Sequence, residues 1–189
     1  MRVIAGKLRR RILEAPAGMA TRPTSDRLRE TLFNVLAPWM EGSRFLDLYA
    51  GSGAVGIEAV SRGAESVVLV ERAVPALKVL RANLEKLGLR SDVRVEAVKV
   101  GAYLRRVRVQ GAMAFDVVFL DPPYEAAEEY AVALGLLGEE TQGLLAERAV
   151  VVAEHSRRHS LDERYGGLMR TRVLQQGDAA LSFYHAVDR

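Results

Sequence analysis

From residue 44 to residue 154 the chain alternates short apolar runs with longer stretches whose apolar side chains recur at helical spacing. The runs at 45–49, 66–71, 93–96, 115–120 and 149–154 are rich in Val, Leu and Phe, which reads as strands covered on both faces. Between them, 54–62, 75–87, 101–109 and 128–137 read as helices. Repeated strand–helix units leave few architectures open: a parallel sheet with helices on both faces. Two further runs, 169–174 and 180–186, flank Gln176-Gly177-Asp178 and read as a hairpin that brings an antiparallel strand to one side of the sheet.

The first forty residues are different. Residues 2–4 and 9–13 fit a short strand pair around Ala5-Gly6-Lys7, and Pro16, Gly18 and Pro23 then break the chain. Thr24 or Ser25 can cap a helix whose Leu28, Leu32, Phe33, Val35 and Leu36 share one face, with Pro38 and Gly42 ending it. This reading divides the chain into an extension, 1–42, and a catalytic domain, 43–189. Residues 1–30 carry eight basic side chains against three acidic ones, a net +5 within a total of +3, so the rest of the chain is −2. A basic arm on a near-neutral domain is the distribution expected of a phosphate-backbone contact, with Arg2, Lys7, Arg9, Arg10 and Arg11 as candidates. A solvated face is the plain alternative.

At 49% apolar the chain has the composition of a globular protein rather than a disordered one. It has no cysteine, so a disulfide framework and a thiolate metal site are excluded, and His155, His159 and His185 are too scattered to suggest a metal centre. No apolar stretch reaches the ~20 residues of a membrane span, and the N-terminus lacks a signal-peptide core. These features predict a cytoplasmic enzyme without a metal.

Two motifs carry chemistry. Asp121-Pro122-Pro123-Tyr124 follows the strand run 115–120, leaving a carboxylate and an aromatic ring at the carboxyl end of a strand, where open α/β sheets bind ligands. Pro123 fixes its own φ and biases Pro122 toward an extended backbone, so the carbonyl there is held. Two fixed acceptors beside a flat ring suit an amino group on a planar base. The second motif is Asp47-Leu48-Tyr49-Ala50-Gly51-Ser52-Gly53 with Gly56 and, twenty residues past Gly51, Glu71. The glycines match the dinucleotide fingerprint. Asp47, however, would repel a pyrophosphate on the helix N-terminus and attract an ammonium. S-adenosylmethionine offers that ammonium, a ribose for Glu71 and no phosphate, and is preferred over a nicotinamide cofactor.

With both motifs present, the chain resembles class I S-adenosylmethionine-dependent methyltransferases, which implies a Rossmann-like α/β fold with a seven-stranded, mostly parallel sheet. More narrowly, Arg2-Val3-Ile4-Ala5-Gly6, Leu8-Arg9-Arg10-Arg11, Arg22-Pro23-Thr24, Asp26-Arg27 and Arg29-Glu30-Thr31-Leu32-Phe33-Asn34 make it similar to the bacterial RsmD family. That resemblance implies methylation of a guanine N2 amine in small-subunit (16S) ribosomal RNA, in the subunit or its precursor. It also implies Arg22 and Thr24 beside the donor, together with Asp47, Ala50, Gly51, Ser52, Gly53 and Glu71. One position departs: Lys99 stands where the family has an acidic or amide residue for the adenine amino group. A lysine accepts no hydrogen bond, which leaves backbone groups or Glu96 for that role.

Other functions share these features. An adenine-N6 DNA or glutamine-N5 protein methyltransferase would use the same Asp-Pro-Pro-Tyr element. A nicotinamide-dependent oxidoreductase would use the glycine turn, and a non-catalytic RNA-binding assembly factor could retain the whole fold.

Overall fold

The computed structural model describes residues 1–15, 25–89, 91–109, 114–123, 126–139 and 143–187. Its elements are α1 (Asp26–Met40), β1 (Arg44–Leu48), α2 (Ala54–Ser61), β2 (Ser66–Val70), α3 (Val74–Lys86), β3 (Val93–Glu96) and α4 (Val100–Val109). They continue with β4 (Phe115–Leu120), α5 (Glu128–Leu137), β5 (Leu145–Ser156), β6 (Arg164–Tyr165), β7 (Leu168–Gln176) and β8 (Ala179–Ala186). The strands form one sheet in the order β3-β2-β1-β4-β5-β8-β7-β6. β1 to β5 run parallel, and β8 enters antiparallel to β5.

Alternation along each strand feeds two cores. Phe45, Val117, Phe119, Val150 and Val152 face one way and pack with Leu32 and Phe33 of α1, Ile57 of α2 and Leu80 of α3. Leu46, Leu48, Val118, Leu120 and Val151 face the other way, against Leu104 of α4 and Leu134 of α5. A strand buried on both faces has no polar side to show, which is why these segments read as largely apolar runs, broken by Asp47 in β1 and Asp116 in β4. The order also reverses at β1, with β2 on one flank and β4 on the other, and this is the switch point where such sheets open a crevice at their carboxyl ends.

Three expectations need correction. The sheet has eight strands rather than seven, because the two-residue β6 pairs with Leu168 and Met169 and is too short to show any periodicity. Pro38 does not end α1, which continues to Met40. Proline removes a bond to the carbonyl of residue 34, and both Asn34 and Pro38 are exposed, so water can satisfy that carbonyl. The N-terminal segment is a looser loop than a strand pair. Its ladder is a single bridge, Arg2 with Ile12, flanked by Val3 N–H to Arg11 O (2.9 Å) and Leu13 N–H to Met1 O (3.0 Å).

The reason is that this segment spends its amides on α2. Ile4 and Ala5 N–H donate to the Glu58 carboxylate (2.8 and 3.0 Å), Lys7 N–H to Ser61 O (2.8 Å) and Leu8 N–H to Ser61 Oγ (2.9 Å). Arg29, counted with the basic arm, is buried instead. Its guanidinium donates to Asp26 (2.9 Å) and to the Arg2 carbonyl and lies near Glu58, holding α1, the N-terminal loop and α2 together. Burial lowers its pKa. Val3 and Leu13 join the core that contains Phe45. Ser25 caps α1, its Oγ accepting from Leu28 N–H (3.1 Å).

Candidate active site

A cleft of about 300 Å³ opens at the carboxyl ends of the central strands. Its floor and walls include Asp47, Tyr49, Ala50, Gly51, Ser52, Glu71, Lys99, Asp121, Pro122 and Pro123. The two motifs, separated by some seventy residues in sequence, thus meet because β1 and β4 are neighbours, with Asp47 in register with Phe119.

The glycine turn is built by left-handed backbone at Tyr49 (φ 65°), Gly51 (φ 56°) and Gly53 (φ 81°). Tyr49 is the costly member, because a side chain disfavours that conformation by ~1–2 kcal/mol. Its hydroxyl is tied down by donation to Glu129 Oε2 (2.7 Å) in the first turn of α5. Burial, followed by that bond to a carboxylate, raises the phenol's pKa. Tyr49 therefore straps the turn after β1 to the helix that follows Asp121-Pro122-Pro123. Ala50 N–H donates to Val70 O (3.0 Å), and Gly53 N–H to Ala50 O (2.7 Å), closing the turn.

Asp47 is 2% exposed, and one carboxylate oxygen accepts from Gly56 N–H (3.0 Å) at the start of α2. Burial pushes its carboxyl up to about 8, opposed by the Gly56 bond and aided by the nearby charge of Glu71. A Cβ at Gly56 would sit 2.2 Å from Leu69 Cδ2, so any larger residue there has to displace that buried side chain. Glu71 spans two roles. One oxygen accepts from Gly51 N–H (2.9 Å), and the other accepts from Arg72 and Ala73 N–H (2.7 Å each) at the start of α3. Asp121 lines the cleft, half-buried. Burial and then the charges of Glu154 and Asp47 raise its carboxyl well above the usual carboxylate range.

The other candidate residues divide clearly. Arg2, Lys7, Arg9, Arg10 and Arg11 are exposed, with Arg2 3.4 Å from Asp26. Tyr124, Arg22 and Thr24 lie outside the described residues. His155 is not among the residues lining the cleft: Nε2 contacts Ser182 Oγ (2.8 Å), Nδ1 contacts Ser156 O (2.9 Å), and burial lowers its pKa. Glu96 is committed to Arg94 and Arg106 (2.6 Å each), and Val98 and Val100 line the cleft beside Lys99. No group of three or more His, Asp or Glu among the described residues is placed to hold a metal. Likewise, no described helix is long and apolar enough to cross a membrane.

Sequence reasoning missed Asn83 and Glu129. Asn83, fully buried in α3, donates to Ser52 O (3.0 Å) and Glu14 O (3.1 Å) and accepts from Glu14 N–H (2.8 Å), joining the N-terminal loop to the glycine turn. Its signal was available, since it is a polar residue on the apolar face shared by Leu80 and Leu84. Glu129 gave none, because its partner is eighty residues away.

A switch-point cleft holding a glycine turn, two carboxylates and an Asp-Pro-Pro element, on a sheet closed by a reversed strand, defines a Rossmann-like class I methyltransferase. The model of the family described as conserved hypothetical protein 95 matches residues 1–185. YlbH of Bacillus subtilis is 40% identical over 184 residues, covering 97% of this chain and 98% of its own. Ribosomal RNA small subunit methyltransferase D of Escherichia coli is 37% identical over 159 residues, covering 82% of this chain and 74% of its own. The solved structure of yhhF from Escherichia coli superposes with a TM-score of 0.83 at 32% identity, covering 98% of this chain and 97% of that one. The chain belongs to this family, the RsmD methyltransferases.

Proposed function

We propose that the protein transfers a methyl group from S-adenosylmethionine to the exocyclic N2 amine of a guanine in small-subunit (16S) ribosomal RNA. The observation that carries this reading is the shared cleft: Asp121-Pro122-Pro123 opens onto the same space as Asp47, Gly51 and Glu71. The relative named ribosomal RNA small subunit methyltransferase D supports the substrate class.

The residues fit the donor's chemistry. Asp47 offers a carboxylate for the methionine ammonium, Glu71 one for the ribose hydroxyls, and the turn through Ala50, Gly51, Ser52 and Gly53 lets the backbone approach closely. Arg22 and Thr24 are assigned beside the donor on the family resemblance. The donor supplies an electrophilic methyl on a sulfonium; the rest falls to this chain. A guanine N2 lone pair is delocalised into the ring. Asp121 and the Pro122 carbonyl accept its two N–H bonds and turn the lone pair out of conjugation, toward the methyl. Tyr124 stacks on the base and holds the near-attack geometry. As positive charge develops on nitrogen, the Asp121 carboxylate stabilises it. A base inside a duplex cannot present this amine, so the target is unstacked or flipped.

The extension, 1–42, serves as the RNA contact in this reading, through exposed Arg2, Lys7, Arg9, Arg10 and Arg11. That exposure favours RNA over a glutamine-bearing protein substrate. The RNA is met in the small subunit or its precursor, which places the enzyme in the cytoplasm. Asp121→Asn is the test: methyl transfer falls at least a thousandfold while RNA binding persists. Turnover within tenfold of the parent would refute the proposed role of Asp121.

A further inference from the structure

Donor and substrate base reach the cleft from different sides. Asp47 stands near the end of β1, Glu71 just past β2, and Val98, Lys99 and Val100 past β3, so the donor half of the cleft lies over these three strands. Asp121 follows β4, on the other flank of β1. A base presented to Asp121 therefore enters over β4 and β5, and the RNA backbone that carries it runs past the carboxyl end of β5.

The segment that leaves β5 there holds two exposed arginines, Arg157 and Arg158. Leu120 of β4 is in register with Ala153 of β5. Continuing that pairing sets Asp121 opposite Glu154 and brings the chain beyond Ser156 out on the flank of Asp121-Pro122-Pro123. The segment is anchored on two sides. Arg157 N–H donates to Asp178 O (2.8 Å) in the turn between β7 and β8, and His159 N–H donates to Ser156 O (2.9 Å). The His159 ring stacks on Tyr130, with centroids 5.5 Å apart. Tyr130 lies in the first turn of α5, the helix into which Asp121-Pro122-Pro123 leads. The backbone under the two arginines is thus fixed relative to the acceptor motif. Because α5 itself opens with Glu128 and Glu129, positive charge on this flank comes from the segment after β5.

The N-terminal arm does not occupy this place. Lys7 and Leu8 dock on Ser61, the last residue of α2, whereas the cleft opens at the first turn of that helix. Eight helical residues span about 12 Å, so the Arg9-Arg10-Arg11 run follows a dock well below the rim. α2 also packs on β1 and β2, the donor side of the sheet.

Unstacking a base costs energy, and contacts to the phosphates beside it position the strand without reading its sequence. A guanidinium suits that task because it donates two parallel N–H bonds to one phosphate. We propose that Arg157 and Arg158 grip the RNA backbone next to the target guanine, on the acceptor side of the cleft, as a phosphate contact separate from the N-terminal arm. This rests on the reading of the protein as an RNA methyltransferase given above.

Two measurements with unmodified small ribosomal subunits test it. The first is the salt dependence of binding by the parent and by the double variant Arg157→Ala/Arg158→Ala. Both side chains are exposed and the Arg157 amide keeps its bond to Asp178, so the variant should fold and bind S-adenosylhomocysteine as the parent does. Its slope of log affinity against log salt should fall by about 1–2. The second uses the absence of cysteine from the chain. An iron–EDTA probe is tethered to a single cysteine introduced as Arg158→Cys or, at the opposite edge of the sheet, as Lys86→Cys at the end of α3. Cuts from position 158 should flank the nucleotide that receives the methyl group, and cuts from position 86 should not. An unchanged slope, or cuts from 158 no nearer that nucleotide than those from 86, overturns the proposal. Cross-linking from position 158 to ribosomal protein alone overturns it as well. The methylated product is identified separately by mass spectrometry. A reduced slope with no N2-methylguanosine formed would therefore refute the guanine reaction and leave the phosphate contact standing.

Discussion

Replacing Gly6 by alanine should detach the N-terminal loop from α2, and the structure sets the size of the effect. A Cβ at Gly6 would lie 1.8 Å from the Ser61 carbonyl oxygen and 2.3 Å from its carbon, where real Cβ contacts essentially never fall under 3.0 Å. Both obstacles are helix backbone and cannot rotate away. The loop must lift, releasing Lys7 N–H from Ser61 O, Leu8 N–H from Ser61 Oγ and Ser61 Oγ–H from the Ala5 carbonyl. At about 1 kcal/mol for each bond the loss is about 3 kcal/mol. The left-handed backbone of Gly6 (φ 79°) adds about 1 kcal/mol for any residue with a side chain. The sum, about 4 kcal/mol, lowers the docked population roughly a thousandfold.

Gly177→Ala is the matched control. Its φ is 62°, but a Cβ there meets nothing within 4 Å, so it bears only the backbone cost of about 1 kcal/mol. Urea unfolding measures both losses, and tryptic cleavage after Arg9, Arg10 and Arg11 measures exposure of the loop. Equal losses in the two variants, with the loop still protected, would refute the docking argument.

Other outcomes follow from the charges. The Asp47 carboxyl, raised from 3.8 to about 8 in the fold, keeps a proton that the unfolded chain has released. The ligand-free protein therefore loses stability as pH rises through that window, in contrast to a salt-bridged aspartate. Donor binding at pH 7 should release close to one proton, seen by calorimetry in buffers of different ionisation enthalpy, and Asp47→Asn should abolish the release. Neutralising Arg9, Arg10 and Arg11 should reduce the slope of log affinity against log salt for RNA by roughly 2–3; an unaltered slope would assign the loop another role. Tyr49→Phe removes the bond to Glu129 and should cost about 1–2 kcal/mol in thermal or urea unfolding.

Much of the fold was legible because its information is local. Strand runs between helical stretches located β1 to β4 within a residue or two, and Gly177-Asp178 marked the turn between β7 and β8. What escaped was set by distant partners. Nothing near Ile4 or Ala5 announces that their amides go to Glu58, and nothing near Arg29 announces that a guanidinium in a basic segment is buried. Pro38 misled because the cost of an interior proline depends on which side of the helix faces water. Within the candidate site, Glu71 and Asp121 stood out because a carboxylate at the end of an apolar run is conspicuous, and Asp47 because it stands four residues before the glycine turn.

The central claim is tested most directly by offering the purified protein labelled S-adenosylmethionine with unmodified small ribosomal subunits, total RNA, DNA and protein, followed by nucleoside mass spectrometry. The account predicts label as N2-methylguanosine in small-subunit RNA. Label in N6-methyladenine or glutamine, or no label despite intact donor binding, would contradict it.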